Sequence, residues 1–90
     1  MNRIKATFTG RVQGVGFRYF VQLNAINYNL TGFVKNLSNG DVLLEVQGDK
    51  DNINKFLNII KKGNGFSKVI DMSIDFLPIE SNEKKFKVVY

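Results

Sequence analysis

The segment Gly10-Arg11-Val12-Gln13-Gly14-Val15-Gly16-Phe17-Arg18 brings glycines, backbone amides and an arginine to the point where an alternating run gives way to a helical one. A helix start exposes N–H groups without intrahelical partners and the positive end of the helix dipole, so it attracts anions. Glycines at 14 and 16 permit backbone angles that turn successive N–H groups into one concavity, a nest for an oxyanion. Arg18 falls in the first helical turn, where a cation is disfavoured by about 0.3–1 kcal/mol. No carboxylate precedes Asp41 to relieve it. A guanidinium fork beside such a nest suits a dianion such as phosphate. The spacing by itself is equally that of an ordinary strand-to-helix turn followed by a solvated arginine. A nucleotide P-loop is not expected because no Gly-Lys-Ser/Thr ending closes the segment, and 90 residues cannot supply the doubly wound sheet of a dinucleotide fold.

The absent residue types narrow the chemistry further. The chain has no Cys and no His, which removes thiolate nucleophiles, disulfides, imidazole bases and the commonest metal ligands. Polar chemistry therefore rests on Arg, Lys, Asn, Gln, hydroxyls, carboxylates or the backbone. The absence of cysteine fits a reducing compartment. Met1-Asn2-Arg3 leads directly into a strand-like pattern without an apolar h-region, so no signal peptide is expected. No apolar run approaches the roughly 18 residues of a membrane span. A cytoplasmic protein without membrane partners is the expectation, and the length fits one domain over residues 1–90. The net charge of +5 is unevenly placed. Residues 1–40 hold Arg3, Lys5, Arg11, Arg18 and Lys35 with no acid, whereas eight Lys cancel eight Asp and Glu from Asp41 onward. The excess is read as the surroundings of one small anion site.

Hydropathy patterning supplies the elements that must hold such a site. Ile4, Ala6 and Phe8, then Val12, alternate with Lys5, Thr7, Thr9 and Arg11, which predicts a half-buried strand. Phe17, Val21, Ala25 and Tyr28 recur at helical spacing, and Asn29 suits the left-handed position that ends a helix. Gly32–Leu37 and Val42–Val46 flank Ser38-Asn39-Gly40-Asp41, a hairpin pattern. Asp49 or Asp51 is a candidate cap for a second helix with Ile53, Phe56, Leu57 and Ile60 on one face, closed by Gly63. A strand through Ile70, Met72, Ile74 and Phe76 ends at Pro78, and a last one runs from Lys84 to Tyr90. Two amphipathic helices and right-handed crossovers predict an α+β, ferredoxin-like βαββαβ sandwich, with both helices on one face of a four- to five-stranded antiparallel sheet.

The run from Gly10 to Phe20 closely resembles the first motif of the acylphosphatase family. Gly32-Phe33-Val34-Lys35-Asn36 with Asn39-Gly40 matches its second block, and Val46-Gln47-Gly48 its third. Phe56-Leu57, Lys62-Gly63 and the closing Phe86-Lys87-Val88-Val89-Tyr90 also fit, so the resemblance spans the chain in order. Phe33 stands where many members have Trp, and Asn29 where Gly is frequent. The resemblance implies hydrolysis of a carboxyl–phosphate anhydride to a carboxylate and inorganic phosphate, without metal or cofactor. It implies that the loop Gln13, Gly14, Val15, Gly16 and Phe17 cradles the phosphoryl group, that Arg18 grips its oxygens and that Asn36 orients the attacking water. The partners so implied are a small acyl phosphate and inorganic phosphate, the latter as product and competitive inhibitor, with the protein acting as a monomer.

Two other functions share the pattern. A nucleic-acid-binding ferredoxin-like module would stack bases on aromatics of its central strands, but Asp41–Gln47 carries two acids and no aromatic, so nucleic acid is not the expected partner. A noncatalytic anion-binding module is the other, of the kind found at the front of a larger hydrogenase maturation protein. Lys35 is read as a solvated surface charge, and Phe8, Phe20, Phe33, Phe56 and Phe86 as packing residues.

Overall fold

The computed structural model describes every residue from Met1 to Tyr90. Its elements are β1 (Asn2–Arg11), α1 (Phe17–Asn27), β2 (Thr31–Asn36), β3 (Val42–Gly48), α2 (Lys50–Lys62), β4 (Lys68–Leu77) and β5 (Phe86–Val89). Each helix crosses between two strands that are not sheet neighbours, giving a five-stranded sheet of order β4-β1-β3-β2-β5. This is the expected split βαβ arrangement.

The alternation in β1 does what a period of two demands. Ile4, Ala6 and Phe8 are buried, and they join Val34 of β2, Leu44 and Val46 of β3, and the stripes of α1 (Phe17, Val21, Ala25) and α2 (Ile53, Phe56, Leu57, Ile60) in one core. Local chemistry sets the end of α1 and the start of α2. Asn29 adopts φ 57°, its N–H donates to the Ile26 carbonyl (3.0 Å), and Leu30 N–H donates to Ala25 (2.9 Å). That pair of bonds is a Schellman closure with Asn in the position Gly usually takes. Asp49, not Asp51, caps α2: its carboxylate accepts from the N–H groups of Asp51 and Asn52.

The sheet departs from the expected all-antiparallel arrangement at one edge. β1 pairs antiparallel with β3 and β4, and β2 antiparallel with β3, but β5 lies parallel to β2, Gly32 opposite Phe86 and Lys35 opposite Val89. After β4 the chain reverses, so β5 runs in the direction of β1 and β2, and the edge it fills belongs to β2. At the opposite edge, Ile70 and Phe76 of β4 are about three-quarters exposed, although Phe76 pairs with buried Ile4 and so faces the helix side of the sheet.

The long return from β4 to β5 explains a second departure. Arg3, counted by sequence among the surroundings of an anion site, is only 4% exposed. Its guanidinium binds Glu45 (3.0 Å) and Glu83 (2.7 Å) and donates to Gln47 Oε1. Gln47 in turn exchanges two bonds with the backbone of Glu80. The crossing segment is thus strapped to β1 and β3 by side chains. The Arg3 guanidinium is held more firmly protonated, chiefly by the bond to Glu83. Burial alone would raise the Glu83 carboxyl, but bonds from Arg3 and Thr31 and the charges of Arg3 and Lys87 outweigh it and hold that carboxyl below its usual range.

Candidate active site

Phe17 opens α1 and is fully buried, its ring edge-on to Phe8 of β1 with centroids 5.4 Å apart. This packing fixes the helix start against the sheet, so the preceding loop is held at both ends. Gly14 and Gly16 take φ 73° and 76°, left-handed angles costly for a side-chain-bearing residue. Gly16 is the N-cap of α1, with no side chain bonding the helix end and no acid in the first turn. Apart from Phe20 N–H to Gly16 O (3.1 Å), the helix start forms no backbone bond outside the regular ladder, and the N–H groups of Gly14 to Tyr19 find no partner within the chain. Unpaired donors at a helix N-terminus are the electrostatic requirement for an anion.

These groups border a cavity of about 430 Å³. Its wall is formed by Val12, Gly14, Gly16, Phe17, Arg18, Tyr19 and Gln22 from the first strand, loop and helix, Asn36 from the end of β2, and Val88 and Tyr90 from the C-terminal segment. Of the residues expected at the site, Gly14, Gly16, Phe17, Arg18 and Asn36 meet here. Gln13 and Val15 do not line the cavity. The Gln13 amide turns away and donates to the carbonyls of Leu37 and Asp41, both at 2.8 Å, tying the loop to the β2–β3 hairpin. Val15 packs against the core, and its carbonyl accepts from Asn64 Nδ2 (2.9 Å).

Arg18 and Asn36 have contrasting surroundings. Arg18 makes no ion pair; its Nη1 donates to the Val89 carbonyl (3.2 Å), and its guanidinium carbon lies 4.7 Å from the centre of the Tyr90 ring. No acid from residues 41–90 neutralises it, and no Asp or Glu lines the cavity. Asn36 shares the inward face of β2 with buried Val34, two residues away, whereas Lys35 points to the other face. Its Oδ1 is buried without a hydrogen-bond partner, a costly state for a polar atom unless a further group completes it. Nowhere do three His, Cys, Asp or Glu side chains gather as metal ligands would.

The sequence pointed to the loop, Arg18 and Asn36 but not to Tyr19, Gln22, Val88 or Tyr90. Gln22 was within reach, since it lies four residues after Arg18 on the same helical face. Val88 and Tyr90 arrive through the parallel pairing of β5, which no local pattern encodes.

Acylphosphatase is the family model that matches residues 4–88. The chain belongs to the acylphosphatase family. It is 54% identical to an acylphosphatase of Clostridium beijerinckii, over the whole of both chains. The crystal structure of a Bacillus subtilis acylphosphatase superposes with a TM-score of 0.95 at 39% identity, again with full coverage of both chains. The chain is also similar to part of the crystal structure of full-length HypF in the phosphate- and nucleotide-bound form: TM-score 0.84, 30% identity, 99% of this chain and 12% of that one. No helix is long and apolar enough to cross a membrane.

Proposed function

We propose that this chain, as one catalytic domain over residues 1–90, hydrolyses the carboxyl–phosphate bond of small acyl phosphates to a carboxylate and inorganic phosphate. The observation that carries this reading is the cavity's composition: unpaired N–H groups of Gly14, Gly16, Phe17, Arg18 and Tyr19, an arginine without a carboxylate partner, and a buried Asn36 Oδ1 with nothing to bond. Phosphoryl oxygens satisfy the N–H groups and Arg18, and a water molecule satisfies Asn36. The water attacks phosphorus in line with the departing acyl oxygen; one P–O bond forms as the other breaks. Transfer through a loose transition state needs positioning and charge stabilisation more than covalent help. The leaving carboxylate has a conjugate acid of pKa about 4 and departs without a proton, so the lack of a general acid costs nothing. Asn36 both donates and accepts, which lets it orient water without titrating. The proton that water releases passes to a phosphate oxygen or to solvent. Val12, Phe17 and Val88 offer the acyl group an apolar wall.

Gln13 and Val15 enter this reading through the backbone of the loop, not through their side chains. Metal and cofactor play no part in it, inorganic phosphate competes with substrate for the same donors, and the protein works in the cytoplasm. In this reading the protein acts as a monomer. The test is hydrolysis of benzoyl phosphate in EDTA, with p-nitrophenyl phosphate nearly untouched and inorganic phosphate inhibiting competitively. Activity that requires a divalent cation sinks the mechanism.

A further inference from the structure

Asn64 lies in the loop between α2 and β4, 49 residues from Val15 in sequence, yet it donates to the Val15 carbonyl across 2.9 Å. Its amide has no freedom to turn. Oδ1 accepts from the N–H groups of Phe66 (2.9 Å) and Ser67 (2.8 Å), and the Asn64 N–H donates to Ser67 Oγ (3.2 Å). With the oxygen engaged twice by its own loop, only Nδ2 is left to face Val15. A planar trans peptide points its C=O and the following N–H in opposite directions. A Val15 carbonyl drawn toward Asn64 therefore sends the Gly16 N–H the other way. Gly16 lines the cavity. Glycine tolerates both signs of φ, so the 15–16 peptide could rotate at little cost if nothing held its oxygen. The Gly16 N–H has no partner within the chain to hold it from the other end.

We propose that Asn64 is a positioning residue of the anion site: it locks the 15–16 peptide so that the Gly16 N–H is aimed into the cavity before any ligand arrives. The inference rests on reading that cavity as the phosphoryl site. It assigns a role to a segment, Gly63–Ser67, that contributes nothing to the cavity wall.

Asn64→Ala removes the anchor and the loop turn together, whereas Asn64→Asp keeps the acceptor for Phe66 and Ser67 and loses only the donor. At neutral pH, both variants are expected to raise KM for benzoyl phosphate and Ki for inorganic phosphate about tenfold, the worth of one hydrogen bond. Equal effects on ground and transition states leave kcat within about threefold. The introduced carboxyl regains a donor when protonated, so the kcat/KM of Asn64→Asp relative to wild type climbs back as pH falls below about 4. A loop turn with no bearing on the site predicts a normal Asn64→Asp enzyme and no such recovery. Independently of any variant, inorganic phosphate titrated into the wild-type protein shifts the Gly16 amide resonance strongly. KM and Ki within about twofold of wild type in both variants, an activity ratio flat with pH, or a Gly16 amide indifferent to saturating phosphate overturns the proposal. A wild-type protein that binds phosphate but leaves benzoyl phosphate intact removes the hydrolytic reading alone; the Gly16 shift and the phosphate affinities of the variants still decide the role of Asn64.

Discussion

Arg3 and Arg18 are the same residue type put to opposite uses. Arg3 is closed in by Glu45, Glu83 and Gln47 and has no bonding capacity to offer a ligand. Arg18 leans on one carbonyl and one aromatic ring, and no carboxylate touches it. The Arg3 cluster holds the crossing segment down; the Arg18 environment leaves a positive charge unanswered at a helix start that already repels it. No acid lines the cavity, whereas two meet Arg3 at the strap. Net charge on this chain thus has two destinations, only one of which is open to solutes.

That contrast breaks most readily at the open arginine's cavity. Asn36→Ala is expected to lower kcat about 10³-fold, in the range lost when one transition-state partner is removed, with a urea midpoint at or above wild type because a buried, unbonded oxygen is gone. Arg18→Ala should raise KM and lower kcat, costing about 10²–10³ in kcat/KM, with little change in thermal midpoint. Wild-type activity in Arg18→Ala would end the assignment of the site.

Arg3→Ala should show the reverse: about 2–4 kcal/mol of stability lost by urea denaturation, since it leaves two part-buried carboxylates unpaired, with kcat per folded molecule retained. The strap also sets an acid limit. A carboxyl whose folded pKa is depressed lends stability above its unfolded value, and that stability is lost as pH falls through the folded one. Glu83 should therefore weaken the fold as pH drops below about 4, and Glu83→Gln should be less stable at neutral pH but flatter through that window. The smallest effect belongs to Tyr90→Ala, which removes the ring beside Arg18: a rise in KM of about two- to fivefold, in keeping with an exposed cation–π contact of about 0.5–1 kcal/mol.

Much of this was legible in the chain itself where a signal is local. Glycines at 14 and 16 in a strand-to-helix junction, the core stripes of both helices, the Asn-Gly hairpin and the Asn29 closure each depend on residues a few positions apart. The second motif, through its resemblance to a known family, led to Asn36. What stayed hidden depends on partners brought together by topology. Arg3 meets Glu45 and Glu83 across 42 and 80 residues, and Asn64 meets Val15 across 49. Neither has a spacing rule. The parallel seat of β5 was illegible for the same reason: its alternation shows a strand without saying which edge it fills. Arg3 was misjudged because counting charge along a chain cannot show which charges are already paired.

The seat of β5 has a consequence for how the protein is made. β5 is the last of the seven elements to leave the ribosome, yet it lies against β2 and brings Val88 and Tyr90 to a cavity begun by Gly14, Gly16 and Arg18. The loop of chain closed by the Arg18–Val89 contact spans 71 residues, so a nascent chain can form α1 and the hairpin early and still have an unfinished cavity. Such non-local closure is slow relative to local structure. Binding competence is thereby tied to the arrival of β5, and a growing chain that still lacks it has an open cavity wall.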